Sequence, residues 1–250
     1  MNKNIDKIIT KIKDKLRQTA PDLTKDQIER RNKILNSEDP KFYAYGQKVA
    51  ELENIVREID NQTECSYEEA LEVFKNLMSS HIHEEKFAGF LFINRFKRDF
   101  NDDIIKIFKK MISKYCDSWA ICDSSMIKVL VPYLAKKDKK DLAITTIKSW
   151  ANSDLLWVRR TSLVIYLKTI MIKKDFDYDF LVELIRTLIN DPEPYIQKTI
   201  AWLLRTCSRY KPKIIFNYLM ENRDNCSRFL LREASKKLSK AQRVTLLEKK

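Results

Sequence analysis

Glycine is almost absent from this chain, which has only 2 among its 250 residues. Tight β-hairpin turns, phosphate-cradling loops and dinucleotide-binding fingerprints all depend on glycine at fixed positions. We therefore expect neither a β-rich fold nor a Rossmann-like fold. Helices joined by short polar turns make no such demand, and the sequence predicts an all-α protein.

The chain is also poor in residues that bind metals or form disulfide bonds. Its 5 cysteines include no Cys-x-x-Cys pair, and its 2 histidines, His81 and His83, lack the i,i+4 spacing of a helical metal pair. We expect no metal site and, from the odd cysteine count, a reducing compartment. No apolar run reaches the roughly 18 residues of a membrane span, and the N-terminal segment is charged. These features predict a soluble, cytoplasmic protein.

Basic residues are in clear excess. The chain has 48 Lys and Arg against 35 Asp and Glu, a formal net charge of +13. This excess favours a polyanionic partner, nucleic acid before a membrane surface. A lysine-rich proteome would give the same balance, so charge alone does not decide the function. The hydrophobic content of 44%, with 12 Phe and 10 Tyr, excludes a disordered chain.

A repeat runs along the sequence with a spacing of 34 to 38 residues. When its copies are superimposed, five positions fall in register: Lys86, Asp123, Arg160, Lys198 and Arg232. Each is followed by apolar residues at helical spacing. Two helices fill such a period, which is typical of an α-solenoid of HEAT type. We expect one domain over residues 1–250, with N-terminal helices in 1–40 and stacked antiparallel helix pairs in 41–250.

Helix-start signals support this division into helices. Thr24 with Gln27, and Ser66 with Glu69, have the spacing of a capping box. Asp191 is expected to be an N-cap residue, with Pro192 in the first turn of the helix that follows.

Equivalent positions of stacked repeats line one face, which we expect to be concave. Four of the five register positions are basic, and Asp123 alone reverses the sign. Trp119 precedes Asp123 by four residues, and Trp202 follows Lys198 by four, so each pair shares a helix face. Other interpretations stay open. The basic residues could form a ladder of bonds between repeats, Asp123 could be a buried partner of Arg160, and each tryptophan could lie in the core.

Six segments, in order, resemble the DNA alkylation repair enzymes of AlkD type, a family of HEAT-like repeat DNA glycosylases. The segments are Tyr-Gly at 45–46, His-Glu-Glu-Lys-Phe-Ala at 83–88, Ser-Trp-Ala-Ile-Cys-Asp at 118–123, Trp-Ala-Asn-Ser-Asp-Leu-Leu-Trp-Val-Arg-Arg at 150–160, Ile-Gln-Lys-Thr-Ile-Ala-Trp-Leu-Leu-Arg at 196–205 and Leu-Arg-Glu-Ala-Ser-Lys-Lys-Leu at 231–238. Together they span roughly residues 42 to 238.

The resemblance implies roles for particular side chains. The family's Trp-x-x-x-Asp motif falls on Trp119 and Asp123, which makes Asp123 the catalytic carboxylate. Arg160 and Trp202 are implied to act beside it, on the sugar or backbone of a lesion whose base stays in the duplex. The side chains expected to bind the DNA backbone are Lys86, Arg159, Lys198, Arg205 and Arg232.

The activity implied is excision of N3- or N7-alkylated purines from double-stranded DNA by a monomer. Such purines are cationic and leave readily, so one carboxylate can stabilise the oxocarbenium-like sugar without a metal or cofactor. The alternative is a non-catalytic repeat protein that binds bent or branched DNA. Ala120 favours it, because the family usually carries a second acid directly after the tryptophan. A third interpretation, a protein-interaction scaffold, fits the basic register positions poorly.

Overall fold

The computed structural model describes residues 3–248, and most of them lie in helices. Within this range there is no strand, and Tyr43 and Ile82 form an isolated parallel β-bridge. The prediction of an all-α protein built from paired helices is confirmed. None of the helices in this range is long and apolar enough to cross a membrane.

The chain divides into two compact units, Met1–Tyr133 (unit 1) and Leu134–Lys250 (unit 2). The single domain over 1–250 and its concave basic face stay predictions.

Unit 1 is a set of helices packed in pairs. The helices are α1 (Lys3–Gln18), α2 (Lys25–Leu35), α3 (Val49–Asn61), α4 (Tyr67–Met78), α5 (His83–Arg95), α6 (Asp103–Tyr115) and α7 (Trp119–Ser125), followed by a π-helical segment (Met126–Leu130) and α8 (Val131–Leu134) at the junction. Helix α5 lies at the centre, because it packs against α3, α4 and α7. This central position explains why ten consecutive residues of α5, from Glu84 to Ile93, are buried.

Phenylalanine fills much of the core of unit 1. Phe74, Phe90 and Phe92 are 0% exposed, and the Phe74 ring stacks on that of Phe108 at 4.9 Å between centroids. Each such burial contributes about 2 to 3 kcal/mol. Gly89 allows α4 and α5 to pack closely, because a Cβ atom at this position would lie only 3.0 Å from the Cβ of Leu77 on α4.

Unit 2 continues the pairing. Its helices are α9 (Lys140–Ala151), α10 (Leu156–Lys173), α11 (Tyr178–Leu188), α12 (Pro194–Cys207), α13 (Pro212–Glu221), α14 (Arg228–Ala234) and α15 (Lys240–Leu247), with 3₁₀ turns at Lys137–Lys139, Arg223–Asn225 and Ser235–Lys237. The helices α10, α12 and α14 pack side by side, α9 packs on α10, and α11 packs on α9. The register positions of unit 2 lie on α10, α12 and α14, which confirms that the sequence period marks structurally equivalent helices.

The predicted helix starts are partly confirmed. Both capping boxes, at Thr24 with Gln27 and at Ser66 with Glu69, are present. The prediction for Asp191 is wrong, because α12 begins at Pro194 with Glu193 as N-cap. The carboxylate of Asp191 instead accepts a hydrogen bond from the backbone N–H of Glu193 and pairs with an arginine of α10. Pro194, and not Pro192, occupies the first position of α12. Proline suits this position because it has no N–H that would be left unpaired there.

Candidate functional site

Helix α7 carries a carboxylate that is almost completely buried. Asp123 is 6% exposed and lies in the last turn of this seven-residue helix. Directly after it the chain passes into the π-helical segment, where the N–H of Met126 points at the carbonyls of Cys122 and Asp123. Burying a carboxylate is costly unless the surroundings compensate it, and π-helical segments are frequent at functional sites. Both features make α7 the strongest candidate site of unit 1.

Trp119 is fixed at the first residue of the same helix. It lies one turn before Asp123, so the two side chains share a face of α7. Its indole Nε1 donates a hydrogen bond to the carbonyl of Ile34 at the end of α2, at 2.9 Å. The ring is half-buried. The tryptophan therefore connects the candidate carboxylate helix to the N-terminal part of unit 1.

Lys86 points into the protein. Its Nζ donates to the carbonyl of Tyr115 at 2.8 Å and to Oδ2 of Asp117 at 2.7 Å. Lys86 is 3% exposed and Asp117 is 8% exposed. The ammonium is thus directed at protein partners, and this bond to the next repeat matches the ladder interpretation. The DNA contact expected for Lys86 stays a prediction.

Two of the family-like segments contact each other through Glu84. Its carboxylate accepts hydrogen bonds from the backbone N–H groups of Tyr45, at 2.8 Å, and Gly46, at 2.7 Å. Gly46 has φ +99°, a conformation that side-chain-bearing residues rarely adopt. Burial raises the pKa of Glu84, and the two N–H groups act against this rise. The contact fixes the segment after α2 against the start of α5.

In unit 2, the two adjacent arginines of α10 bind neighbouring elements. Arg160 is 6% exposed and donates to the carbonyl of Tyr195, at 2.7 Å, and to Oγ1 of Thr199, at 2.6 Å. Arg159 is half-buried, and its Nε pairs with Oδ2 of Asp191 at 2.6 Å. Both side chains bridge successive repeats, so the ladder interpretation describes their observed contacts.

Tyr195, which the sequence patterns did not single out, contacts two of the predicted site residues. Its ring lies 5.1 Å from that of Trp157, and Nζ of Lys198 and Cζ of Arg160 lie 5.4 and 5.8 Å from its centroid. The sequence holds one signal for it, since Tyr195 precedes Lys198 by three residues and therefore shares its helix face. The ring of Tyr195 therefore lies near one cation of α10, Arg160, and one cation of α12, Lys198.

The remaining predicted site residues of unit 2 lie nearer the surface. Lys198 and Arg232 are exposed, and Trp202 is half-buried. Arg205 is half-buried and pairs with Oε2 of Glu233 at 3.1 Å. Lys198 and Arg232 are thus the predicted DNA contacts of unit 2 that solvent reaches most freely.

A model of the DNA alkylation repair enzyme family matches residues 12–238. The chain belongs to this family. A solved structure described as a predicted DNA alkylation repair enzyme from Enterococcus faecalis has the same fold, with a TM-score of 0.72 at 19% identity over 87% of this chain and 97% of that chain. No curated protein matches the chain at a significant level.

Membership of the DNA alkylation repair enzyme family makes DNA the partner of this chain and repair of alkylated DNA its role. The matched range contains all of the predicted site residues. Trp119 and Asp123 lie one turn apart on α7, and Arg160 and Lys198 both lie near the ring of Tyr195. That both groups act at one lesion stays a prediction.

Proposed function

We propose that this family member is a DNA glycosylase that excises cationic N3- or N7-alkylated purines from duplex DNA. The observation that carries the proposal is the buried carboxylate of Asp123, one turn after Trp119 in a chain of this family. A carboxylate that a fold keeps in its interior beside an aromatic residue suits a task that needs a fixed negative charge.

The chemistry requires little more than that charge. When the bond between C1′ of the deoxyribose and the purine nitrogen breaks, its electron pair goes to the purine, which leaves as a neutral base. The sugar becomes oxocarbenium-like, water adds at C1′, and one proton is released. Asp123 would stabilise the cationic sugar electrostatically in a site of low dielectric constant. Trp119 would favour the positive lesion by about 0.5 to 2 kcal/mol through its ring face.

The other predicted residues would hold the DNA. The exposed cations Lys198 and Arg232 are suited to neutralise phosphates, which gives affinity without sequence preference. The half-buried Arg205 and Trp202 would contact the backbone or sugar near the lesion. Arg160 and Arg159 would act mainly by fixing the helices that carry these contacts.

The proposal is tested by comparing two duplexes that carry the same methyl group at different atoms of one guanine. At N7 the methyl group makes the nucleoside cationic, and at O6 it leaves the nucleoside neutral. We expect release of the N7-methylated base, measured by chromatography, and no release of the O6-methylated base. Equal release of both bases would contradict a mechanism that depends on a cationic leaving group.

Ala120 supports a second candidate, a repeat protein that binds bent or branched DNA without chemistry. It is 7% exposed and follows Trp119, where the resemblance leads us to expect an acid. This candidate becomes the better account if the protein binds the lesion duplexes and a four-way junction but releases neither 7-methylguanine nor 3-methyladenine.

A further inference from the structure

The helix with the candidate carboxylate lacks a side-chain cap at its start. Helix α7 continues without a break through the π-helical segment into α8, but its N-cap Ser118 makes no side-chain capping hydrogen bond. The first N–H groups of a helix have no partner within the helix, so an uncapped start depends on its surroundings. The start of α7 is therefore held by contacts with the rest of unit 1.

Three hydrogen bonds hold the connection between α6 and α7. Nζ of Lys86 binds the carbonyl of Tyr115 and the carboxylate of Asp117, the last residue of α6 and the second residue after it. The carbonyl of Asp117 accepts a hydrogen bond from the N–H of Glu38 at 2.9 Å. Two residues after Asp117, α7 begins with Trp119. Lys86 thus connects the central helix α5 to the start of the candidate helix.

The pair is deeply buried, which makes it rigid and intolerant of change. The side chains of Lys86 and Asp117 are 4% and 10% exposed. Oδ1 of Asp117 and Oγ of Ser118 are buried and have no hydrogen-bond partner among the described residues. The ammonium of Lys86 is therefore the main compensation for the buried charge of Asp117, and removing it would leave that charge uncompensated.

We propose that the Lys86–Asp117 ion pair is a positioning device, which holds α7 so that Trp119 and Asp123 are presented in a reactive geometry. The inference rests on the proposed glycosylase function. It gives Lys86 a role in the chemical step without contact to DNA. A misplacement of catalytic groups by about 1 Å can lower a rate about 100-fold, so a loosened α7 would slow excision.

A purely stabilising role is separated from positioning by two variants. Lys86→Met leaves the charge of Asp117 buried and is expected to lower the melting temperature. The double variant Lys86→Met/Asp117→Asn removes both charges and is expected to regain most of that loss. The matched control is Arg95→Met, which breaks the ion pair between Arg95 and Asp60, at 2.7 Å, at the other end of the same helix α5.

Two measurements decide the question: single-turnover excision of 7-methylguanine at saturating protein, and hydrogen exchange of the amides of residues 115–125. For the double variant we expect excision at least about tenfold slower than native, unchanged DNA affinity and faster exchange in this segment. The control should match the native protein in all three. A double variant with native excision rate and native exchange would overturn the inference. If the native protein excises nothing, the proposed function fails, whereas exchange in 115–125 still shows whether the pair holds α7.

Discussion

At the residue scale, His83 illustrates how burial changes a titratable group in the N-terminal part of unit 1. Its ring contacts those of Phe42 and Phe87, at 6.1 and 5.2 Å between centroids, and its Nδ1 is buried without a partner among the described residues. Burial lowers the pKa of His83 to about 4. The side chain is therefore neutral in the folded protein at neutral pH.

This lowered pKa predicts a pH dependence of stability. The unfolded chain binds a proton on histidine near pH 6.5, whereas the folded protein does so only near pH 4. Acidification therefore favours the unfolded state, and His83 should cost the folded state about 2 kcal/mol between pH 7 and pH 4.5. Urea unfolding gives the free energy of unfolding of the native protein and of His83→Gln at both pH values. The native protein should lose more of it between pH 7 and pH 4.5 than the variant does. An identical loss in both proteins would contradict the prediction.

The burial of single residues could not be predicted from the sequence period. The period places Lys86, Arg160 and Lys198 at equivalent positions, yet the first two are 3% and 6% exposed and Lys198 is exposed. Lys86 is buried against Asp117, which is 31 residues away in the sequence. Arg160 is buried against Tyr195, which is 35 residues away. A period identifies equivalent positions, but burial depends on contacts distant in sequence that no local pattern encodes.

At the scale of elements, α2 has an unusual weakness, because none of its residues is buried. It is held by the capping box of Thr24 with Gln27 and by the bond from Trp119 to Ile34. A helix without a packed face depends on such end contacts.

We therefore expect Thr24→Ala, which removes about 1 kcal/mol of capping, to unfold α2 locally. Hydrogen exchange in Lys25–Leu35 should become faster while the rest of unit 1 is unchanged. The matched control is Ser66→Ala, which breaks the same kind of capping box on α4, a helix with five buried residues. Equal acceleration in α2 and α4 would show that packing does not distinguish the two helices.

The elements themselves were largely predictable, since apolar spacing and capping boxes are local signals. The predicted start of α12 lies two residues before the observed one, because the carboxylate of Asp191 binds Arg159 of another repeat instead of capping the helix. The π-helical segment Met126–Leu130 has no recognised local signal. It is a detail of backbone geometry that packing selects.

At the scale of the whole molecule, the net charge of +13 governs the encounter with DNA. Each phosphate contact contributes about −0.9 to the slope of log affinity against log salt. Lys198→Gln and Arg232→Gln should each reduce the magnitude of that slope by about 1. The control Lys110→Gln changes an exposed lysine of α6 that no motif contains. Fluorescence anisotropy over a salt series measures the slope for all three variants. An equal change of slope in the control would show that net charge, and not these two positions, sets the affinity.

The most direct test of the central claim is the excision rate of Asp123→Asn on a duplex with one 7-methylguanine. The substitution keeps the size of the side chain and removes its charge, while Asp103→Asn does the same to a carboxylate of α6 that is 68% exposed. We predict that Asp123→Asn excises at least about 100-fold more slowly than the native protein, with DNA affinity unchanged or higher. Asp103→Asn should excise at the native rate. Excision at the native rate by Asp123→Asn would contradict the account and remove the carboxylate of α7 from the chemistry.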